Sequence, residues 1–209
     1  MKIFLGGGGN AQQSLELDKK FVEALDKTKP VLYIPIAMPP ELYSYPSCLE
    51  WIRGVFQPLG FDNFAMWTEK DLEGKSEKDF LEFGGVYIGG GNTFKLLKDL
   101  KEFGTFEILK SLAFKNIPIY GGSAGAIIFA KTIIPALPYD ENKVGLTDFS
   151  ALNLINGFDM WCHYKPEMLP LVNEFKQKYS LEKIYAIPEE AGLVVSENDI
   201  QIVGSVEIV

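Results

Sequence analysis

The 209-residue chain has one histidine and two cysteines, and a single arginine, Arg53. Cys48 and Cys162 share no metal-ligand spacing, so neither a disulfide framework nor a metal site is expected, and no cofactor is implied. Such sparse cysteine suits a reducing compartment. No apolar run approaches the length of a membrane span. The N-terminal stretch Met1 to Leu5 meets glycines before it builds the apolar core of a signal peptide. Basic charge is scarce too: 20 Lys and Arg stand against 28 Asp and Glu, a net charge of −8. The charges are scattered, which argues against a nucleic-acid partner. These absences set the expectation of a cytoplasmic protein with no membrane and no nucleic-acid partner. No linker or composition shift divides the chain, so residues 1–209 read as a single α/β domain.

What stands out is Gly121-Gly122-Ser123-Ala124-Gly125-Ala126, set between the apolar runs Ile117 to Tyr120 and Ile127 to Ala130. It fits G-x-S-x-G, a sharp strand-to-helix turn that lifts a serine hydroxyl clear of the chain. Glycines flank the serine because such a turn is crowded and strained. The helix that follows aims its N-terminus at the serine, where amides and dipole meet developing negative charge. The bland alternative is a glycine turn that only packs a strand on a helix.

A serine hydroxyl needs a base, and imidazole has the matching acidity. The one histidine is His163, in Trp161-Cys162-His163-Tyr164. Cys162 beside it is read as a buried structural thiol, because adjacent side chains point apart. An acid should orient the imidazole. Two candidates exist: Asp140, in the loop Pro138 to Asn142, and Glu189, directly after the predicted strand Ile184 to Ile187. Glu189 is preferred, since residues at strand ends are held better than residues in long loops.

Short apolar runs at Ile3 to Leu5, Val31 to Pro35, Phe64 to Trp67, Val86 to Ile88 and Ile117 to Tyr120 predict strands of a buried, mostly parallel central sheet. Helical spacing of Leu17, Phe21 and Leu25, of Leu96, Leu97 and Leu100, and of Met168, Leu171, Val172 and Phe175 predicts helices, which cover both faces. Near the C-terminus, Leu193 to Val195 and Ile200 to Val203 read as an antiparallel hairpin, with Val206 to Val209 as a further short strand. An apolar edge there would make a homodimer easy to form. Two more glycine clusters end strands, Gly6 to Gly9 and Gly89 to Gly91. Crevices in such sheets lie beyond the carboxyl ends of strands, so both could border Ser123, with Gly90 or Gly91 donating to an oxyanion. Neither carries a phosphate-loop pattern.

With Tyr87-Ile88-Gly89-Gly90-Gly91-Asn92-Thr93-Phe94, Gly-Gly-Ser-Ala-Gly-Ala, Ala151-Leu152-Asn153-Leu154, His163-Tyr164 and Ile187-Pro188-Glu189 in this order, the chain resembles the dipeptidase E and cyanophycinase family of serine peptidases. Val31-Leu32-Tyr33-Ile34-Pro35 extends the resemblance over nearly the whole chain. It implies a glutamine amidotransferase-like fold with serine at the elbow, and a short peptide as substrate. It also implies Ser123 as nucleophile, His163 as base, and an oxyanion hole at the Gly90-Gly91 turn and the Ala124 N–H, with Asn92 and Thr93 beside it as substrate contacts. The acid it implies matches either Asp140 or Glu189. Members that cleave after an N-terminal aspartate hold that carboxylate with an arginine downstream of the histidine. Arg53 lies far upstream, and Lys165 or Lys176 offers only a point charge, so strict aspartyl specificity is not expected. A serine hydrolase of short peptides is the expectation; a catalytically weak binder of peptides or small ligands on the same fold is the alternative.

Overall fold

The computed structural model describes residues 1–39, 41 and 43–209. Its strands are β1 (Ile3–Gly6), β2 (Val31–Ile34), β3 (Phe64–Met66), β4 (Gly85–Ile88), β5 (Ile119–Gly122), β6 (Asp159–Trp161), β7 (Ile184–Ala186), β8 (Gly192–Val195), β9 (Ile200–Val203) and β10 (Glu207–Ile208). The helices are α1 (Leu15–Ala24), α2 (Tyr45–Phe56), α3 (Glu69–Leu72), α4 (Glu77–Phe80), α5 (Thr93–Glu102), α6 (Thr105–Phe114), α7 (Ala124–Ile127) and α8 (Leu169–Lys178). Seven strands form one sheet in the order β3-β2-β4-β5-β1-β8-β9. The first five run parallel, and β8 and β9 close it as an antiparallel hairpin.

The central strands are apolar throughout because both faces are covered. Ile3, Leu5, Leu32, Ile34, Val86, Ile88 and Ile119 point to one side, against Leu97 and Leu100 of α5, Leu109 of α6 and Ala126 of α7. Phe4, Val31, Tyr33, Tyr87 and Tyr120 point to the other, against Leu17 and Phe21 of α1 and Ile52 and Phe56 of α2. The second face is an aromatic layer. Tyr33 pairs with Tyr87, Tyr87 with Tyr120 and Tyr120 with Phe4 in strand register, so four strands contribute one ring each to a single row. Tyr87 and Tyr120 stack with ring centroids 4.6 Å apart. Fully buried Phe21 meets Phe4, Phe56 and Tyr120 edge to face. Burying one such ring contributes on the order of 3 kcal/mol, with up to about 1 kcal/mol more from each ring pair.

Three features depart from the sequence reading. Asp159–Trp161 is a strand that the short run Asp159-Met160-Trp161 did not announce. It pairs in parallel with β7, and β10 pairs antiparallel with β7, so the last strand belongs to a separate three-stranded sheet and not to the main one. Trp161, Ile184, Ala186 and Val172 of α8 form the small core of that sheet. α2, capped by Ser44 with Pro46 in its first turn, was also hidden. No helix among the described residues is long and apolar enough to cross a membrane.

Candidate active site

Three neighbouring parallel strands meet glycine at the same end of the sheet: β1 and β5 end in Gly6 and Gly122, and Gly89 follows β4. Ser123 follows β5 with φ +52° and ψ −114°, a conformation sparsely used by residues with a side chain. Its amide donates to the carbonyl of Gly6 at 3.1 Å, pinning the turn to β1. Gly125 lies so near the Ile88 carbonyl that a Cβ there would overlap it. The helix beyond the serine is short. α7 is a single turn of four residues, and the amides of Ala126 and Ile127 donate to the Ser123 carbonyl.

His163 and Glu189 come from the small sheet. His163 lies two residues beyond β6 and Glu189 three residues beyond β7, its parallel neighbour. The amide of Ile187 donates to Trp161 and that of Tyr164 to Ile187, so the two strand ends travel together. They are tied to β1 as well: His163 N–H donates to the Gly7 carbonyl at 2.9 Å, and Gly7 N–H donates to Ala191 at 3.1 Å. His163 also has positive φ, +52°. Gly8, at φ +105°, lies directly against the imidazole, and a Cβ there would overlap Cε1 and Nε2. The first glycine cluster thus does more than turn the chain; it leaves room for the histidine ring.

The side chains form a continuous line. Ser123 Oγ is 2.8 Å from His163 Nε2, and His163 Nδ1 is 3.0 Å from Glu189 Oε1. Gln13 Nε2 donates to Glu189 Oε2 at 2.9 Å. Hydrogen bonds from His163 and then from Gln13 hold the Glu189 carboxyl below the usual carboxylate range. Gln13 was not visible in the sequence as a site residue, and no motif around it marks it.

Asp140 sits elsewhere. Its carboxylate accepts from the Thr93 amide at 2.7 Å, at the start of α5, and it lines a second cavity beside Ser123 with Tyr139 and Pro135. Asn92 is likewise committed: its Oδ1 accepts from Lys95 N–H as the cap of α5, and its Nδ2 donates to Glu141. Both ends of its amide are therefore used within the chain. Thr93 is buried, though it borders the second cavity. Gly90 and Gly91 stand beside Ser123. A Cβ on Gly90 would lie 3.2 Å from the serine Cβ. Their amides, with that of Ala124, make no turn or ladder hydrogen bond among the described residues. Cys162 lies beneath the turn, its Sγ 3.8 Å from the Ser123 carbonyl oxygen, and burial pushes its thiol up to about 12. A thiol so raised carries little of the thiolate that reacts.

Comparison with known proteins adds to this geometry. The sequence profile of peptidase family S51 matches residues 3–203. A peptidase E from Nostoc sp. strain PCC 7120 is 26% identical over 186 residues, covering 85% of this chain and 73% of the relative. A Drosophila melanogaster protein designated a probable alpha-aspartyl dipeptidase is 30% identical over 119 residues. That match takes in 56% of this chain, which spans less than half of the Drosophila relative, 45%. A crystal structure from Listeria monocytogenes EGD-e, assigned to peptidase E, superposes with a TM-score of 0.74 over 97% of both chains. At 23% identity that likeness shows the fold, an α/β sheet flanked by helices.

Proposed function

The chain belongs to peptidase family S51, and we propose that it hydrolyses amide bonds in short peptides with Ser123, His163 and Glu189 as a catalytic triad. The observation that carries this reading is the unbroken line from Ser123 Oγ through His163 to Glu189, at 2.8 and 3.0 Å. Serine attacks the carbonyl carbon of the scissile bond while His163 Nε2 takes the hydroxyl proton. Glu189 accepts a hydrogen bond from Nδ1–H, selects that tautomer, and stabilises the imidazolium. The oxygen of the tetrahedral intermediate meets the amides of Gly90, Gly91 and Ala124. As the C–N bond breaks, His163 gives its proton to the departing amine, leaving an acyl-serine. Water then attacks the acyl carbon, again with His163 as base, and releases the acid.

Short peptides fit the setting. The cavity that opens at Ser123 has a volume of about 390 Å³, room for a side chain or two and not for a folded loop. The name of the Drosophila relative specifies a dipeptidase.

Intact-mass analysis after incubation with a small fluorophosphonate, followed by peptide mapping, tests the reading. One adduct on Ser123, lost in His163→Ala and accompanied by release of amino acids from a dipeptide panel, is the expected result. A folded protein that takes no adduct, or takes it equally well without His163, would rule the triad out.

A further inference from the structure

The cavity at Ser123 is aromatic, and His163 is the one basic side chain that lines it among the described residues. Its floor is the end of the in-register tyrosine row, Tyr33 and Tyr87, whose rings meet edge to face with centroids 5.6 Å apart. Met38 and Cys48 contribute to its wall, and Tyr43 and Trp51 border it. Tyr43 is 56% exposed and Trp51 47% exposed, large rings left in water beside the nucleophile. Clustered exposed aromatics of this kind mark a ligand surface, because water is a poor neighbour for them.

No lysine, arginine, aspartate or glutamate lines this cavity among the described residues. Arg53 points its guanidinium at the carbonyl of Phe64, 3.3 Å away. Lys165 borders a different cavity with Glu189, Glu190 and Glu207. Behind the floor lies a buried acid, Asp18; burial first, and then the nearness of Asp18, push the pKa of the Tyr87 and Tyr120 hydroxyls well above the usual phenol value. A carboxylate seated on this floor would shed its hydration and gain no lysine or arginine in return. An aromatic or large aliphatic side chain would instead take its own apolar surface and that of the wall out of water.

Gly90, Gly91 and Ser123 all border this cavity. A carbonyl poised between those amides and the serine therefore has its own side chain at the cavity's opening. Resting on the peptidase reading above, we propose that the cavity binds the side chain of the residue whose carbonyl Ser123 attacks. It selects an uncharged aromatic or large aliphatic residue over an acidic one.

The test compares inactivation rates of the intact protein by two aminoalkyl diphenylphosphonates, one with the phenylalanine side chain and one with the aspartate side chain. A small alkyl fluorophosphonate serves as the reference. The phenylalanine analogue should react at least about tenfold faster. In Trp51→Ala, a change on the exposed side of α2, that ratio should fall several-fold. In Ser47→Arg, which places a cation at the cavity, the aspartate analogue should gain several-fold. Equal rates for the two analogues, or a faster aspartate analogue, would overturn the proposal while leaving the triad standing, provided the reference labels Ser123. Failure of the reference itself on folded protein removes the peptidase reading, and the specificity inference falls with it.

Discussion

Glu189 Oε1 lies 3.0 Å from His163 Nδ1, and the other carboxylate oxygen of Glu189 is held by Gln13 at 2.9 Å. Each oxygen has its own partner, so the carboxylate is fixed in rotation as well as in position. The imidazole inherits that order and presents Nε2 to the serine.

The two acidic candidates should therefore separate cleanly. Glu189→Gln leaves the shape but offers Nδ1 the wrong partner in one amide orientation, and kcat should drop about 10²- to 10⁴-fold. Asp140→Asn removes a charged acceptor from the first turn of α5, and should lower stability by about 1 kcal/mol with kcat changed less than tenfold. Steady-state kinetics beside urea unfolding of both variants checks this; the reverse pattern would make Asp140 the functional acid.

Gly8 offers a steric test of the same line. Gly8→Ala puts a methyl group into the space of the imidazole, at a backbone angle that alanine rarely adopts. Activity should fall at least about a hundredfold, because displacing a catalytic group by about 1 Å costs that much. Fluorophosphonate labelling of Ser123 should fall in parallel. Full activity in the alanine variant would mean that the ring does not depend on this glycine.

Asp18 makes stability depend on pH. It is 2% exposed beneath the tyrosine row, with Ser14 and Tyr120 hydroxyls on its carboxyl. Burial pushes its pKa up to about 6. An acid whose folded value lies above its unfolded value, near 4, binds more protons folded than unfolded between those two points. Its contribution is most favourable below that window and is lost as pH rises through about 6, on the order of 3 kcal/mol in all. Asp18→Asn should therefore gain stability relative to the parent between pH 5 and pH 8. Urea midpoints of both proteins at the two pH values measure it, and a constant difference between them would show that Asp18 does not titrate in this range.

Cys162 should be inert. Cys162→Ala removes a buried sulfur whose thiol sits at about 12, so it should cost about 1 to 2 kcal/mol of stability while kcat stays within about threefold. Iodoacetamide should leave Cys162 unmodified in the native protein, as peptide mapping would reveal. Modification of Cys162 with loss of activity in the folded state would reopen the thiol as a reacting group.

Much of the architecture could be read in advance, for a definite reason. Continuous apolar runs such as Val31 to Ile34 occur where a strand is covered on both faces, and helical spacing such as Leu17, Phe21 and Leu25 records a helix packed on one. Both signals lie within a few residues of chain. β6 escaped because three residues are too few to show a period, and its partners arrive only with β7. The Asn92 cap on α5 and its bond to Glu141 are contacts of position, invisible in a glycine-rich motif.

The sequence by itself determined the local chemistry: a serine between glycines at a strand-to-helix turn, and one histidine in the whole chain. Those are properties of composition and of short stretches, where sterics and residue type suffice. The tertiary structure decided which acid meets the histidine, that Gly8 makes space for its ring, and that Tyr33 and Tyr87 form one cavity floor. Ser123 and His163 are 40 positions apart and His163 and Glu189 are 26 apart. Their meeting depends on two sheets whose strand ends converge, and convergence is set by register and packing between distant segments, which no local pattern encodes.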